Sequence, residues 1–433
     1  MRTVKDAALL PAVRSNRPSQ ARRTAIVALM FLAFFWVYFQ RMGMAVIASD
    51  LEASFGLSAA ALGLLGAAYF YPYALSQLPV GMLVDRVGAR RVLPILVAVA
   101  GLGSLLFALS GDFGLAVGGR LLVGIGAGAV WLSAQRLFVN WYHPRQFATL
   151  NGLMNAVGNL GGIAGQLPLA LAAATIGWRS VFAGAGVLGL GIALLCVAVV
   201  RDRPRSVDAG AVAAEKPVVS PPKPSVRRDL RSVAASRDLW LLAAALLPYV
   251  GSRFGFQSLW GGPFFTDVYH LSPSEVGTLL MLMSLALAIS SITMGYLSDR
   301  VFKSRKWLSV VGMALYTLCW IPLTFGTSQI PQPALYLLVI ALGALSSFWI
   351  PLYAQAKELF PSAVAGTALA VVNLFSTFGG AFYQQIMGVA IGLFPTTGHG
   401  YSTSAYSAAF GVCLAGVVVA TGLVVASKEK RWD

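Results

Sequence analysis

The chain has 433 residues, of which 57% are hydrophobic and only 11% charged, with a mean hydropathy of +0.73. Soluble globular chains carry about 25% charged residues, so this composition excludes that class. The formal net charge of +16 would suit a nucleic-acid binder, but the bases are placed in a way that points to a membrane instead.

After a polar, basic tail over residues 1–23, the sequence enters an apolar run over 24–49. It is too long for the apolar core of a cleavable signal, and no small-residue cleavage site follows. Further apolar runs long enough to cross a bilayer as helices follow at 58–83, 92–111, 114–139, 147–174 and 179–200. Residues 201–237 then turn basic and Pro-rich, which predicts a cytoplasmic linker. Another six runs follow at 238–266, 273–297, 307–326, 334–356, 363–393 and 404–426, before a short tail over 427–433. The expected fold class is an all-α polytopic membrane protein of 12 transmembrane helices, arranged as two six-helix bundles over 24–200 and 238–426.

With the N-terminus inside, every Lys and Arg except Arg41, Arg120, Arg179 and Arg253 falls in a cytoplasmic segment or at a cytoplasmic span end. This is the positive-inside pattern, so the basicity records topology and no nucleic-acid partner is expected. The expectation is a multi-pass protein of the cytoplasmic (inner) membrane with both termini cytoplasmic and lipid around it. Cys196, Cys319 and Cys413 lie in apolar runs, and His143, His270 and His399 lie in loops or at span ends. No metal site, cofactor or catalytic constellation is expected from them, which argues against an enzyme.

The two halves repeat. Leu57, Ser58, Gly63, Gly81, Asp85 and Arg86 match Leu271, Ser272, Gly277, Gly295, Asp299 and Arg300 at one offset of 214, and Arg41 matches Arg253 at 212. Parallel repeats with a binding site between them near the bilayer midplane are a known transporter plan. The segment R120-L-L-V-G-I-G-A-G128 follows no strand, so its glycines predict close helix packing rather than a phosphate loop. N159-L-G-G-I-A-G165 is read in the same way.

Twelve spans, the 6 + linker + 6 layout and the two G-x-x-x-D-R loops resemble the major facilitator superfamily. The resemblance implies alternating access with cargo held between the halves, and a functional monomer. It assigns gating to Asp85, Arg86 and Arg90 and to Asp299 and Arg300; the alternative is that these bases only mark topology. Arg120 resembles the family's fourth-helix arginine, tied to coupling or cargo, with snorkelling to the headgroups as the alternative.

Arg41 and Arg253 are the sharpest signal. Each sits deep in a span, where an arginine costs about 2.5–3.5 kcal/mol on insertion scales, and no Asp or Glu lies within a span to pair with it. The counter-ion is then most simply an anionic cargo. Y38-F-Q-R-M and S252-R-F-G-F-Q-S-L-W-G-G-P-F-F further resemble the first and seventh helices of the organophosphate:phosphate antiporters, in which paired arginines grip phosphate. That branch's second-helix lysine falls on Gln77 and its fifth-helix histidine on or beside Gly158, which leaves a carboxylate or a larger conjugate as open as a simple phosphate ester. Tyr38, Gln40, Tyr73, Gln77, Asn155, Gln257, Trp260, Trp349, Tyr353, Asn373 and Gln384 complete the expected cargo-binding set, with interhelical packing as the alternative for each.

The leading expectation is a secondary transporter of a phosphorylated or carboxylated organic anion. Antiport against a counter-substrate is favoured because no carboxylate or imidazole within a span can carry a proton; a proton-coupled mode would need a loop-edge acid such as Asp50 or Glu52. The alternatives are a proton-coupled drug or metabolite efflux pump, which would favour an embedded acid, and a transporter-like anion sensor.

Overall fold

Short polar residues start the helices, and apolar faces then pack them. Ser58, Asp112, Ser236 and Ser402 each accept a hydrogen bond from a backbone N–H three residues on, which satisfies a donor that the first helical turn leaves unpaired. The computed structural model describes residues 20–203, 232–296, 304–397 and 400–429. The expected linker therefore lies mostly outside the described residues.

In the first half, α1 spans Gln20–Met42, α2 Ala48–Phe55, α3 Ala59–Val87, α4 Ala89–Ala108, α5 Phe113–Trp141, α6 Pro144–Ala164, α7 Leu167–Ile176 and α8 Trp178–Val199. In the second, α9 spans Arg237–Gly255, α10 Gly261–Tyr269, α11 Pro273–Tyr296, α12 Arg305–Phe325, α13 Gln332–Leu345, α14 Trp349–Glu358, α15 Ser362–Gly392 and α16 Thr403–Ala426. A two-strand hairpin pairs Thr396–Thr397 with Gly400–Tyr401 between α15 and α16. Taken with their short continuations, these helices make twelve spans long and apolar enough to cross a membrane.

Four expected spans are broken, the tenth by a 3-10 turn over Ser346–Phe348 between α13 and α14. The first was expected to run to 49, but α1 ends at Met42 and a 3-10 turn over Ala45–Ile47 leads into α2. The fifth is interrupted between α6 and α7, just before Pro168, whose missing N–H cannot continue the ladder. The seventh passes through a π-helical turn over Phe256–Trp260 between α9 and α10. Such turns insert one residue and re-aim the side chains around them.

The glycine motif in α5 behaves as expected. A Cβ at Gly124 would lie 2.2 Å from the Tyr69 carbonyl oxygen, and one at Gly126 would lie 2.1 Å from that of Leu96. Only a hydrogen at these positions lets α5 approach α3 and α4 so closely. Gly161 in α6 does the same against the Phe35 carbonyl of α1, at 2.1 Å.

The internal repeat extends to the helix ends. Asp202, just past α8, accepts from the Arg90 N–H at the start of α4 at 3.0 Å. Glu429, just past α16, accepts from the Lys306 N–H at 3.2 Å and from the Arg305 N–H at the start of α12. Each half thus closes on a carboxylate at the positive end of its third membrane helix.

The halves clasp at one end. Along α3 and α15, Ala59 faces Gly388, Gly63 faces Gln384, and the rings of Tyr71 and Phe378 meet at 5.4 Å. Tyr71 Oη donates to Gln385 Oε1 at 2.8 Å, and Ser284 Oγ on α11 donates to Gln166 Oε1 at 2.8 Å. At the other end, the ion pairs Asp85–Arg136 and Arg305–Glu358 each stay within one half.

Candidate functional site

Arg41 is carried near the end of α1 and buried at 7% exposure. Its guanidinium carbon lies 4.7 Å from the Tyr73 ring centroid, 4.8 Å from Tyr38 and 5.6 Å from Tyr69, with Phe70 and Phe254 within 5.9 Å. Its Nε donates to Tyr69 Oη at 3.4 Å. Desolvated cation–π contacts are worth up to about 2 kcal/mol each, so this aromatic cage offsets much of the charge's insertion cost. Arg41 Nη2 is buried without a hydrogen-bond partner.

Arg253, on α9, is buried at 6% exposure and is held differently. Its guanidinium carbon sits 3.9 Å from the Phe254 centroid, and Nη1 donates to Gln257 Oε1 at 3.0 Å. Gln257 Nε2 donates to Ser284 Oγ at 2.7 Å, and Ser284 donates onward to Gln166 in the other half. Arg253 Nε is buried and unpartnered. Phe254 therefore lies over both guanidiniums, which come from opposite halves. The two like charges act on one another, so an anion between them would gain from both.

Of the other expected residues, Tyr38 and Tyr73 flank Arg41, and Gln257 tethers Arg253. Tyr353 Oη donates to Asn373 Oδ1 at 3.3 Å and to Ser376 Oγ at 3.0 Å, and the Trp349 ring meets Tyr353 at 5.0 Å. Tyr353 lies within electrostatic range of Tyr38 and Tyr73 across the halves. Gln77, also in the expected set, keeps a buried Nε2 without a partner and borders Gly128 of α5.

Gln40, Trp260, Gln384 and Asn155 of the set have side chains that bond to other partners. Gln40 turns into its own half, where its Nε2 donates to Ser104 Oγ at 2.8 Å. Trp260 is buried against α15 and donates to the Gln384 carbonyl at 2.8 Å, and Gln384 Nε2 donates to Ser258 Oγ at 2.7 Å. Asn155 is exposed and donates to Asn151 O on its own helix. The Gln40 and Gln384 amide nitrogens and the Trp260 indole thus link neighbouring helices, as polar groups often do in membranes, while Gln40 Oε1 and Gln384 Oε1 stay buried without a partner.

Arg120 does not snorkel. It is fully buried, with its guanidinium over the rings of Tyr69 at 5.1 Å and Phe107 at 5.8 Å. Its Nη1 donates to the Gln40 carbonyl at 3.1 Å. That carbonyl is among the last four of α1, which have no acceptor role left inside the helix. Arg120 thus caps α1 at the residue preceding Arg41 and shares Tyr69 with it.

Of the expected gating residues, Asp85 is exposed and pairs with Arg136 of α5 at 3.3 Å, an exposed contact worth at most about 1 kcal/mol. Arg86 and Arg90 are exposed. Asp299 and Arg300 lie outside the described residues. Sequence reading missed Phe254 and Ser284: the only signal for Phe254 was its place beside Arg253, and a lone serine in an apolar span carries none.

The Major Facilitator Superfamily model matches this sequence over residues 30–383 and again over 250–433. The chain belongs to the major facilitator superfamily. It is accordingly a multi-pass membrane transporter and not an enzyme. It is 25% identical over 355 residues to a Cupriavidus necator protein named "Probable sulfoacetate transporter SauU", covering 79% of this chain and 80% of that one. It is 26% identical over 390 residues to the glycerol-3-phosphate transporter of Bacillus subtilis, covering 85% and 86%. Among solved structures, a bacterial homolog to the human lysosomal transporter Spinster, inward-facing and unoccupied, superposes with a TM-score of 0.74 at 18% identity, over 96% of this chain and 99% of that one. This last likeness concerns the fold.

Proposed function

We propose that this transporter carries a small organic anion, phosphorylated or carboxylated, across the cytoplasmic membrane by alternating access, with the cargo bound between Arg41 and Arg253. The observation that carries this reading is the pair itself. Two buried guanidiniums from opposite halves flank one phenylalanine ring, and each retains a buried N–H without a partner. Planar guanidinium forks donate paired hydrogen bonds to carboxylate or phosphate oxygens. The relatives whose names specify sulfoacetate and glycerol-3-phosphate support the same cargo class.

Binding across the halves gives the cargo a mechanical role. A ligand moves a two-state equilibrium only through its different affinity for the two states. An anion bridging Arg41 and Arg253 favours states that bring the arginines together, and relieves their mutual repulsion as it does so. With the positive-inside orientation, the clasped end is the outer one, and the conformation described is inward-facing.

Exchange is favoured over proton symport with the cargo, because the groups around the pair are arginine, tyrosine, glutamine and phenylalanine. Counterflow in proteoliposomes tests this. Vesicles preloaded with a phosphate ester or a carboxylate should accumulate the labelled anion without an imposed proton gradient, and Arg41→Ala and Arg253→Ala should each abolish it. Uptake that requires the gradient would contradict exchange, and transport of cations that survives both substitutions would contradict the cargo class.

A further inference from the structure

At the clasped end a carboxylate of one half reaches into the other. Glu52 on α2 accepts a 2.6 Å hydrogen bond from Tyr401 Oη in the hairpin between α15 and α16. The Tyr401 N–H donates to Asp267 Oδ2 on α10 at 3.0 Å, and Tyr406 Oη on α16 donates to that same oxygen at 2.6 Å. The rings of Tyr401 and Trp260 meet at 6.2 Å. This cluster joins two acids from opposite halves through one tyrosine.

The groups facing Glu52 are Tyr401 from the hairpin, Tyr406 from α16 and Asp267 from α10, while Asp50 shares its helix. His270, at the end of α10, acts on Asp267. The arginine at this end, Arg179, donates to Ser54 Oγ and to the Ser110 carbonyl, and lies over the Trp178 ring. Glu52 thus meets tyrosine hydroxyls and a second acid. Like-charged carboxylates brought together in a partly dry site hold on to a proton.

We propose that Glu52 is a proton-binding site at the outer end of the transporter, and that proton uptake there holds this end closed. Burial, and then the Asp267 charge, push the Glu52 carboxyl up to about 7, against the opposing effect of the Tyr401 hydrogen bond. When the halves part at this end, Glu52 rehydrates and returns to the ordinary carboxylate range, so the closed state binds the extra proton. Closure is therefore most favoured at low pH. It weakens as pH rises from the ordinary range toward 7, and levels off above that. The site acts on the gate and lies apart from the arginine pair, so it is compatible with anion exchange. It rests on the proposed rocking of the halves, but not on the identity of the cargo.

The test is a distance measurement across this end in the full-length chain. Spin labels at Ala53→Cys and Ser404→Cys, both exposed positions, would be introduced with Cys196, Cys319 and Cys413 replaced by serine. Between about pH 4.5 and 7 the ratio of short to long distances should fall by up to about tenfold per pH unit, the limit for one linked proton. Glu52→Gln should keep the short distance up to about pH 7, where the parent loses it, leaving only the lower-pH contribution of Asp267, whose carboxyl burial also pushes up. Tyr401→Phe, which removes the donor, should move the upper edge of the window to higher pH. A flat profile in the parent, or the same profile in parent and Glu52→Gln, would overturn the proposal. The anion reading is decided separately, by anion binding to the Arg41 and Arg253 variants.

Discussion

Arg41 and Arg253 occupy related places in the two halves, yet the protein holds them by different means. Arg41 rests in a cage of tyrosine and phenylalanine faces, with one long hydrogen bond to Tyr69. Arg253 has Phe254 and a chain of side-chain hydrogen bonds through Gln257 and Ser284 to Gln166. A π-face stabilises a cation without fixing its fork, whereas an amide oxygen fixes one nitrogen in direction. In the proposed site, the first half would therefore supply charge free to turn toward the cargo, and the second an oriented side chain already linked across the clasp.

The largest effect should come from removing either charge. Arg41→Ala and Arg253→Ala should each weaken anion binding by about 2–5 kcal/mol, the range for truncating one partner of a buried charge pair, read by titration calorimetry. The lysine exchanges should separate the two holds. Lysine can still sit over aromatic rings, so Arg41→Lys should retain more affinity than Arg253→Lys, which forfeits the geometry set by Gln257. Equal losses would break the comparison.

Arg120→Met comes next. It leaves the Gln40 carbonyl uncapped, so thermal stability and anion affinity should both fall, by about 1–3 kcal/mol for an unsatisfied buried acceptor. A large loss of affinity with unchanged stability would instead make Arg120 a direct cargo ligand. Gln257→Leu should cost about 0.5–1.5 kcal/mol in affinity, the usual worth of one hydrogen bond. Tyr73→Phe should be smallest, within about threefold by affinity arithmetic, because the face presented to Arg41 is kept.

Much of the fold was legible because the bilayer imposes length and apolarity on every span. The α5 glycines carried through, since close helix packing is set by residue type at fixed spacing. The breaks at Met42 and over Phe256–Trp260 were not legible: both lie inside apolar stretches, and hydropathy does not register a change of hydrogen-bond pattern. The arginine pair stood out because a charge in an apolar run is costly. Gln40, Trp260 and Gln384 showed only that polar groups in spans need partners, and their partners come from distant segments.

We propose above that an anion is the shared ligand of Arg41 and Arg253. A thermal-shift panel on the purified protein tests it most directly, comparing phosphate esters, mono- and dicarboxylates, inorganic phosphate, and neutral or cationic drugs. Stabilisation by one class of anion, lost in both Arg41→Ala and Arg253→Ala, is the expected result. Stabilisation by neutral or cationic compounds, unchanged in both variants, would contradict it.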